Sequence, residues 1–121
     1  MQLEKWKADQ LAFEQQALVF ELSKYFPREE MFSLTDQIRR SSRSVCANLA
    51  EAYRKKRYPS HLLLKLTDAD AENEETKTWI EIAAQCKYLS GAELEKLKDQ
   101  NTQISKLLYY MINHIDKFSH K

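Results

Sequence analysis

Apolar residues return every three or four positions along four stretches of the chain, and the breaks between them hold its only prolines and its only glycine. The first stretch, about residues 8–25, sets Leu11, Gln15, Leu18, Leu22 and Tyr25 on one helical face. Pro27 ends it, because the residue before a proline is pushed out of helical geometry. The second, about 34–57, carries Leu34, Ile38, Val45, Leu49, Ala52 and Tyr53. Ser33 and Asp36 at its start have capping-box spacing, with Ser33 as the N-cap. Pro59 opens the third, about 59–88, since proline suits a first helical turn. Its stripe is Leu62, Leu66, Ala69, Asn73, Thr76, Ile80 and Ala84. Gly91 lies between Ser90 and Glu93, a second capping box, and the fourth stretch, about 91–118, runs through Leu94, Leu97, Ile104, Leu108, Met111, Ile115 and Phe118. Short connections make successive helices antiparallel, so the pattern predicts an all-α, up-down-up-down four-helix bundle in one domain spanning residues 1–121.

Composition narrows this further. Three glycines and prolines in 121 residues are too few for the turns of a sandwich or barrel, and no Gly-rich phosphate loop is present. At 43% hydrophobic and 31% charged, the chain has the makeup of a globular domain rather than a disordered one. No stretch approaches the ~20 apolar residues of a membrane span, and the first residues lack a signal-peptide core. The expectation is a cytoplasmic protein without membrane contact. Cys46 and Cys86, 40 residues apart and outside any CxxC motif, read as buried small hydrophobes.

Two helices carry more apolar surface than a monomer needs. Trp6, Phe13 and Phe20 recur every seven residues opposite the Leu11/Leu18/Leu22 face, and Leu64, Ala71 and Ile82 face away from the Leu62/Leu66/Ile80 stripe. Either a wide core takes up both faces, or they meet a partner; self-association is the preferred reading.

The net charge of +1 conceals two opposed blocks. From Gln37 to Thr67, Arg39, Arg40, Arg43, Arg54, Lys55, Lys56, Arg57 and Lys65 stand against Glu51 alone, a net +7. From Asp68 to Glu81, Asp68, Asp70, Glu72, Glu74, Glu75 and Glu81 stand against Lys77, a net −5. The five arginines fall within about 100° of one another on a helix, with only Ala47 and Ala50 between them on that side. Such a stripe suits bidentate contacts to phosphates of RNA or DNA. The competing reading pairs it with the acidic helix, within the chain or between subunits. Tyr53 and Tyr58 beside the basic cluster read either as base-stacking groups or as packing residues.

Catalytic chemistry finds no footing. There is no nucleophile motif, no HExxH and no pair of Glu-x-x-His sequences for a di-iron bundle. His114, Asp116 and His120 offer only a weak metal group at the C-terminus, and a solvated tail is the plainer reading. Asn48, Asn73 and Thr76 are expected to bond across helices and fix their register. The chain reads as a non-enzyme with no cofactor, no metal and no evident small-molecule substrate.

The run from Leu34 to Tyr53, LTDQIRRSSRSVCANLAEAY, resembles the LxxQIRRxxxSIxxNIAEG signature of the four-helix bundle family also called the 23S rRNA intervening-sequence proteins. The likeness extends upstream to Phe26-Pro27-Arg28-Glu29-Glu30 and downstream through Asp68–Glu72 and Glu75–Trp79. Ala52 replaces the signature's glycine, and Ala71-Glu72 replace its Gly-Ser. The resemblance implies a small bundle assembled as a homopentamer. It also implies kinship with the accessory protein of diversity-generating retroelements, a basic pentamer that binds nucleic acid and a reverse transcriptase. The signature positions here are Gln37, Arg39, Arg40, Ser44, Asn48, Glu51, Glu75 and Trp79, none of them an established catalytic residue.

Overall fold

The computed structural model describes residues 6–119, and the His120 proposed for a C-terminal metal group lies outside them. Helix α1 is Lys7–Ser23, α2 Leu34–Arg54, α3 Pro59–Gln85 and α4 Gly91–Ile112, with a short α5 at Ile115–Phe118 and a 3₁₀ turn at Arg28–Glu30. Helix α1 packs on α2 and α4, and α3 packs on the same two, so α1 and α3 stand on one diagonal of a four-helix bundle.

The boundaries differ from the sequence pattern where side chains compete for backbone groups. Helix α1 ends early, and its core face is Ala8, Leu11, Ala12, Gln15, Val19 and Ser23. Leu18 and Leu22 sit half-buried at its edge. Tyr25 is 85% exposed, and Phe26 fills the core in its place. Ser33 does not cap α2 with its own oxygen. Its hydroxyl donates to Glu30 Oε1 at 2.7 Å, and that carboxylate accepts from Leu34 N at 3.4 Å and Tyr88 OH at 2.9 Å. The hydrogen bonds from Ser33 and then Tyr88 hold Glu30 below the usual carboxylate range, while the bond to Glu30 pushes Tyr88 up to about 12. The Ser90–Glu93 box forms as expected, with Glu93 N donating to Ser90 Oγ and Ser90 N to Glu93 Oε1. Helix α4 stops at Ile112, where Asn113 Nδ2 also donates to the Tyr109 carbonyl and His114 Nδ1 lies 2.8 Å from that of Tyr110. The chain then folds Phe118 against Trp6 and Tyr110.

Helix α3 ends at Gln85, with Lys87 N donating to Ala84 O and Tyr88 N to Ala83 O, which puts Lys87 at φ 64°. Left-handed backbone costs an L-residue about 1 kcal/mol that glycine avoids. Lys87→Gly is therefore expected to raise stability by about 0.5–1 kcal/mol and the melting temperature by a few degrees. A lower melting temperature in a thermal scan would contradict the strain.

The core has two apolar lobes. One gathers Leu11, Val45, Leu49, Leu62, Leu66, Ile104, Leu108 and Met111, the other Val19, Phe26, Leu34, Ile38, Ile80 and Leu97. A polar belt adds buried and part-buried hydrogen bonds between the helices. Gln15 Nε2 donates to Asn73 Oδ1 across the diagonal, and Asn101 Nδ2 donates to Gln15 Oε1. Asn73 Nδ2 donates to Asn101 O and to Ser105 Oγ, and Thr76 Oγ1 donates to Ser41 Oγ at 2.8 Å. Asn48, expected to join this belt, instead donates back along its own helix to Ser44 O and Oγ.

Candidate nucleic-acid interface

The seven candidate cations, among them the five arginines expected to form one stripe, are arranged as two groups along α2 and its exit. Arg39, Arg40 and Arg43 occupy the first half of the helix. Arg54 is its last residue, and Lys55, Lys56 and Arg57 lie beyond it in the turn, so Arg57 does not continue the helical stripe. Eleven residues separate Arg43 from Arg54, about 16 Å at helical rise. Ala47 and Ala50 between them are exposed, leaving an unobstructed surface.

In the first group, three cations cover Phe20 from α1. The Arg39 guanidinium lies 4.7 Å from its ring centroid, Arg43 5.5 Å and the Lys24 ammonium 4.9 Å. Arg39 Nε also donates to Ser23 Oγ at 2.7 Å. Phe20 thus works as a cation platform that orients two arginines, each contact contributing about 0.5–1 kcal/mol. Arg40 Nη2 donates to Gln37 Oε1 and lies 4.0 Å from Glu75 on α3. Met31, Thr35 and Asp36 join the three arginines around an open hollow of about 350 Å³. Helical spacing alone could not bring in Met31, which precedes the helix.

At the second group, a hollow of about 400 Å³ is lined by Tyr53, Arg54, Lys56, Arg57 and Tyr58. Lys56 Nζ lies 3.6 Å from the Tyr53 ring centroid, and Trp6 meets the same ring edge-on at 5.1 Å. Tyr53 is therefore a packing residue. Tyr58 remains 52% exposed.

The acidic face of α3 is only partly neutralised. Lys65 pairs with Glu51 at 2.6 Å and with Asp68 at 3.6 Å. Burial, then Glu75 nearby, pushes the Glu72 carboxyl upward despite Arg40, and Glu72 Oε1 is a buried oxygen with no hydrogen-bond partner. Burial and then Glu74 push Asp70 upward too. Burial is thus the larger cause at both carboxyls and a neighbouring acid the smaller, with Arg40 offsetting it only in part at Glu72.

The apolar residues expected at an oligomer interface divide into two sets. Trp6 packs on Tyr53 and Phe118, Phe20 lies under the cations, and Ile82 packs against the second apolar lobe. These three serve the chain's own packing. Phe13, 40% exposed, and Leu64, 55% exposed, remain open, as does Ala71. Leu63, next to Leu64, is a further exposed apolar residue that helical spacing did not single out.

Among the described residues, no group of three His, Cys, Asp or Glu side chains comes together to hold a metal, and no helix is long and apolar enough to cross a membrane. The cysteines differ from each other. Cys46 is half-buried and its thiol is pushed up to about 11 by burial and by Asp9, whereas Cys86 is exposed rather than buried. In native protein at mild alkaline pH, a thiol reagent is expected to label Cys86 quickly and Cys46 only after unfolding. Two equally fast thiols would contradict the burial of Cys46.

A family model described as 23S rRNA-intervening sequence protein matches residues 4–110. Among solved structures, the chain is similar to a Bacteroides thetaiotaomicron VPI-5482 protein of unknown function from the S23 ribosomal protein family. That protein is 28% identical, with a TM-score of 0.78 over 87% of this chain and 97% of that one. No curated protein matches the chain. Neither the family description nor that of the Bacteroides protein names an enzymatic activity.

Proposed function

The chain belongs to the 23S rRNA-intervening sequence protein family, and from that premise we propose that it is a nucleic-acid-binding bundle whose α2 cations engage the phosphate backbone of RNA or DNA. One observation carries this reading. Among the described residues, Arg40 alone of the seven cations on α2 and its exit turn makes an ion pair with an acid, at 4.0 Å across an exposed surface. An exposed pair of that kind contributes little, so the cationic face stays available. Arginine suits the role because its planar fork meets phosphate oxygens two at a time. In this reading the protein works in the cytoplasm by binding, with no reaction, cofactor or small-molecule substrate of its own.

Anisotropy titration of labelled duplex and single strand over a range of salt tests the proposal. Affinity is expected to fall with salt at a slope near −0.9 per phosphate neutralised on duplex. Replacing Arg43, Arg54 and Arg57 by alanine is expected to flatten that slope by two to three units. Absence of binding at low salt would sink the proposal.

A second reading, compatible with the first, is self-association, up to the homopentamer that the family resemblance implies. Phe13 on α1 and Leu64 with Ala71 on α3 support it, because these exposed apolar patches lie on helices at opposite corners of the bundle. Two different patches facing opposite ways favour a head-to-tail contact, the kind that closes into a ring.

A further inference from the structure

We propose that the turn between α2 and α3 reads single strands: Tyr58 stacks on an unpaired base, while Arg54 and Arg57 beside it hold the flanking phosphates. This rests on the nucleic-acid reading above and goes beyond it by assigning the strand form and the residue that selects it.

The hollow at this turn, about 400 Å³, is lined only by tyrosines and cations. No carboxylate lies in its wall, and Glu51, one turn back, is held by Lys65 at 2.6 Å. The two tyrosines have different fates. Tyr53 is wedged between the Trp6 edge and the Lys56 ammonium, so its ring has no room for a base. Tyr58 has a single ring neighbour among the described residues, His61, whose plane meets it at 79° with centroids 5.9 Å apart. That edge-on contact steadies the ring while leaving it more than half exposed.

The backbone holds the ring in place as well. Tyr58 N donates to Lys55 O and Tyr58 O accepts from Leu62 N, both at 2.9 Å, and Pro59 follows at the first position of α3. A ring displayed on a fixed turn loses little freedom on binding. Cations flanking an open aromatic form the usual arrangement for single strands, where each unpaired base offers a π-face. A duplex hides those faces in its stack, so Tyr58 has nothing to meet there.

The test uses the full chain and two fluorescein-labelled probes, a short oligouridylate and a blunt duplex of equal length, at low salt. Tyr58→Ala is expected to weaken oligouridylate binding on the order of tenfold and leave duplex binding unchanged. Tyr58→Phe is expected to restore it, because the stacking face returns without the hydroxyl. Should Tyr58→Ala stay within twofold of the parent on oligouridylate while both probes bind, the turn is not a reader and the backbone reading stands alone. Binding of neither probe by the parent chain would overturn both. Competition by polyglutamate as strong as by unlabelled oligouridylate would mark a general polyanion site and overturn the single-strand assignment.

Discussion

Truncating Asn101 to alanine is expected to cost about 3–5 kcal/mol of folding stability, a large part of the ~5–15 kcal/mol typical of a domain. Asn101 is almost fully buried and its Nδ2 donates to Gln15 Oε1 at 2.9 Å, to Asn73 O at 3.0 Å and to Asn73 Oδ1 at 3.1 Å. Alanine removes the donor, leaves the buried Gln15 Oε1 without its partner, and opens a cavity beside it. The penalty is mostly that of the orphaned groups, which gives the prediction a second arm. Replacing Gln15, Asn73 and Asn101 together by leucine removes every member of the triad, so the triple variant is expected to be more stable than the single one. Urea unfolding followed by circular dichroism measures both. A loss under about 1 kcal/mol for Asn101→Ala would mean the triad is not a cooperative network.

That belt shows how far the sequence alone reaches. Asn73 and Thr76 are legible because they fall on the α3 apolar stripe, where a polar residue needs a partner. Asn101 had the same signal, lying four residues after Leu97 and three before Ile104, but the apolar residues around it complete a stripe without it. Asn48 fails for a local reason: a helical asparagine finds an acceptor one turn back, and it takes Ser44. The aromatic repeat at Trp6, Phe13 and Phe20 is real in sequence, yet a seven-residue spacing drifts about 20° per repeat on a straight helix. What each ring meets is then decided by the flanking helix, and arginines of α2 reach Phe20 while Phe13 stays 40% exposed. The four helices and their order follow from periodicity and from three turn residues. The division of the basic block into a helical group and a turn group does not, because it depends on α2 ending at Arg54. From that point 100° per residue no longer describes the chain.

A charge placed on either exposed apolar patch is expected to separate the proposed assembly into chains of 14.3 kDa with helix content unchanged. Phe13→Asp and Leu64→Asp both alter exposed side chains outside the core, so the bundle itself has little reason to respond. At a buried contact the same change strands an unpaired charge, which costs several kcal/mol. Sedimentation of the two variants mixed together tests the head-to-tail arrangement. Each variant keeps one intact patch, so the mixture is expected to form a species of twice the chain mass and nothing larger. If α1 instead met α1 and α3 met α3, Phe13→Asp alone would still pair through Leu64, and that result would defeat the arrangement. So would a parent chain that stays monomeric at high micromolar concentration. The geometry ties this to binding. In the proposed ring, contacts through α1 and α3 would use one diagonal of the bundle and leave α2 on the other, so every copy would turn its arginine face to the same side. A long strand would then meet several such faces at once, and linked sites gain about 10²–10⁴ in avidity. Phe13→Asp, with every cation in place, is accordingly expected to bind a long single strand at least about a hundredfold more weakly than the parent while binding a short one equally well.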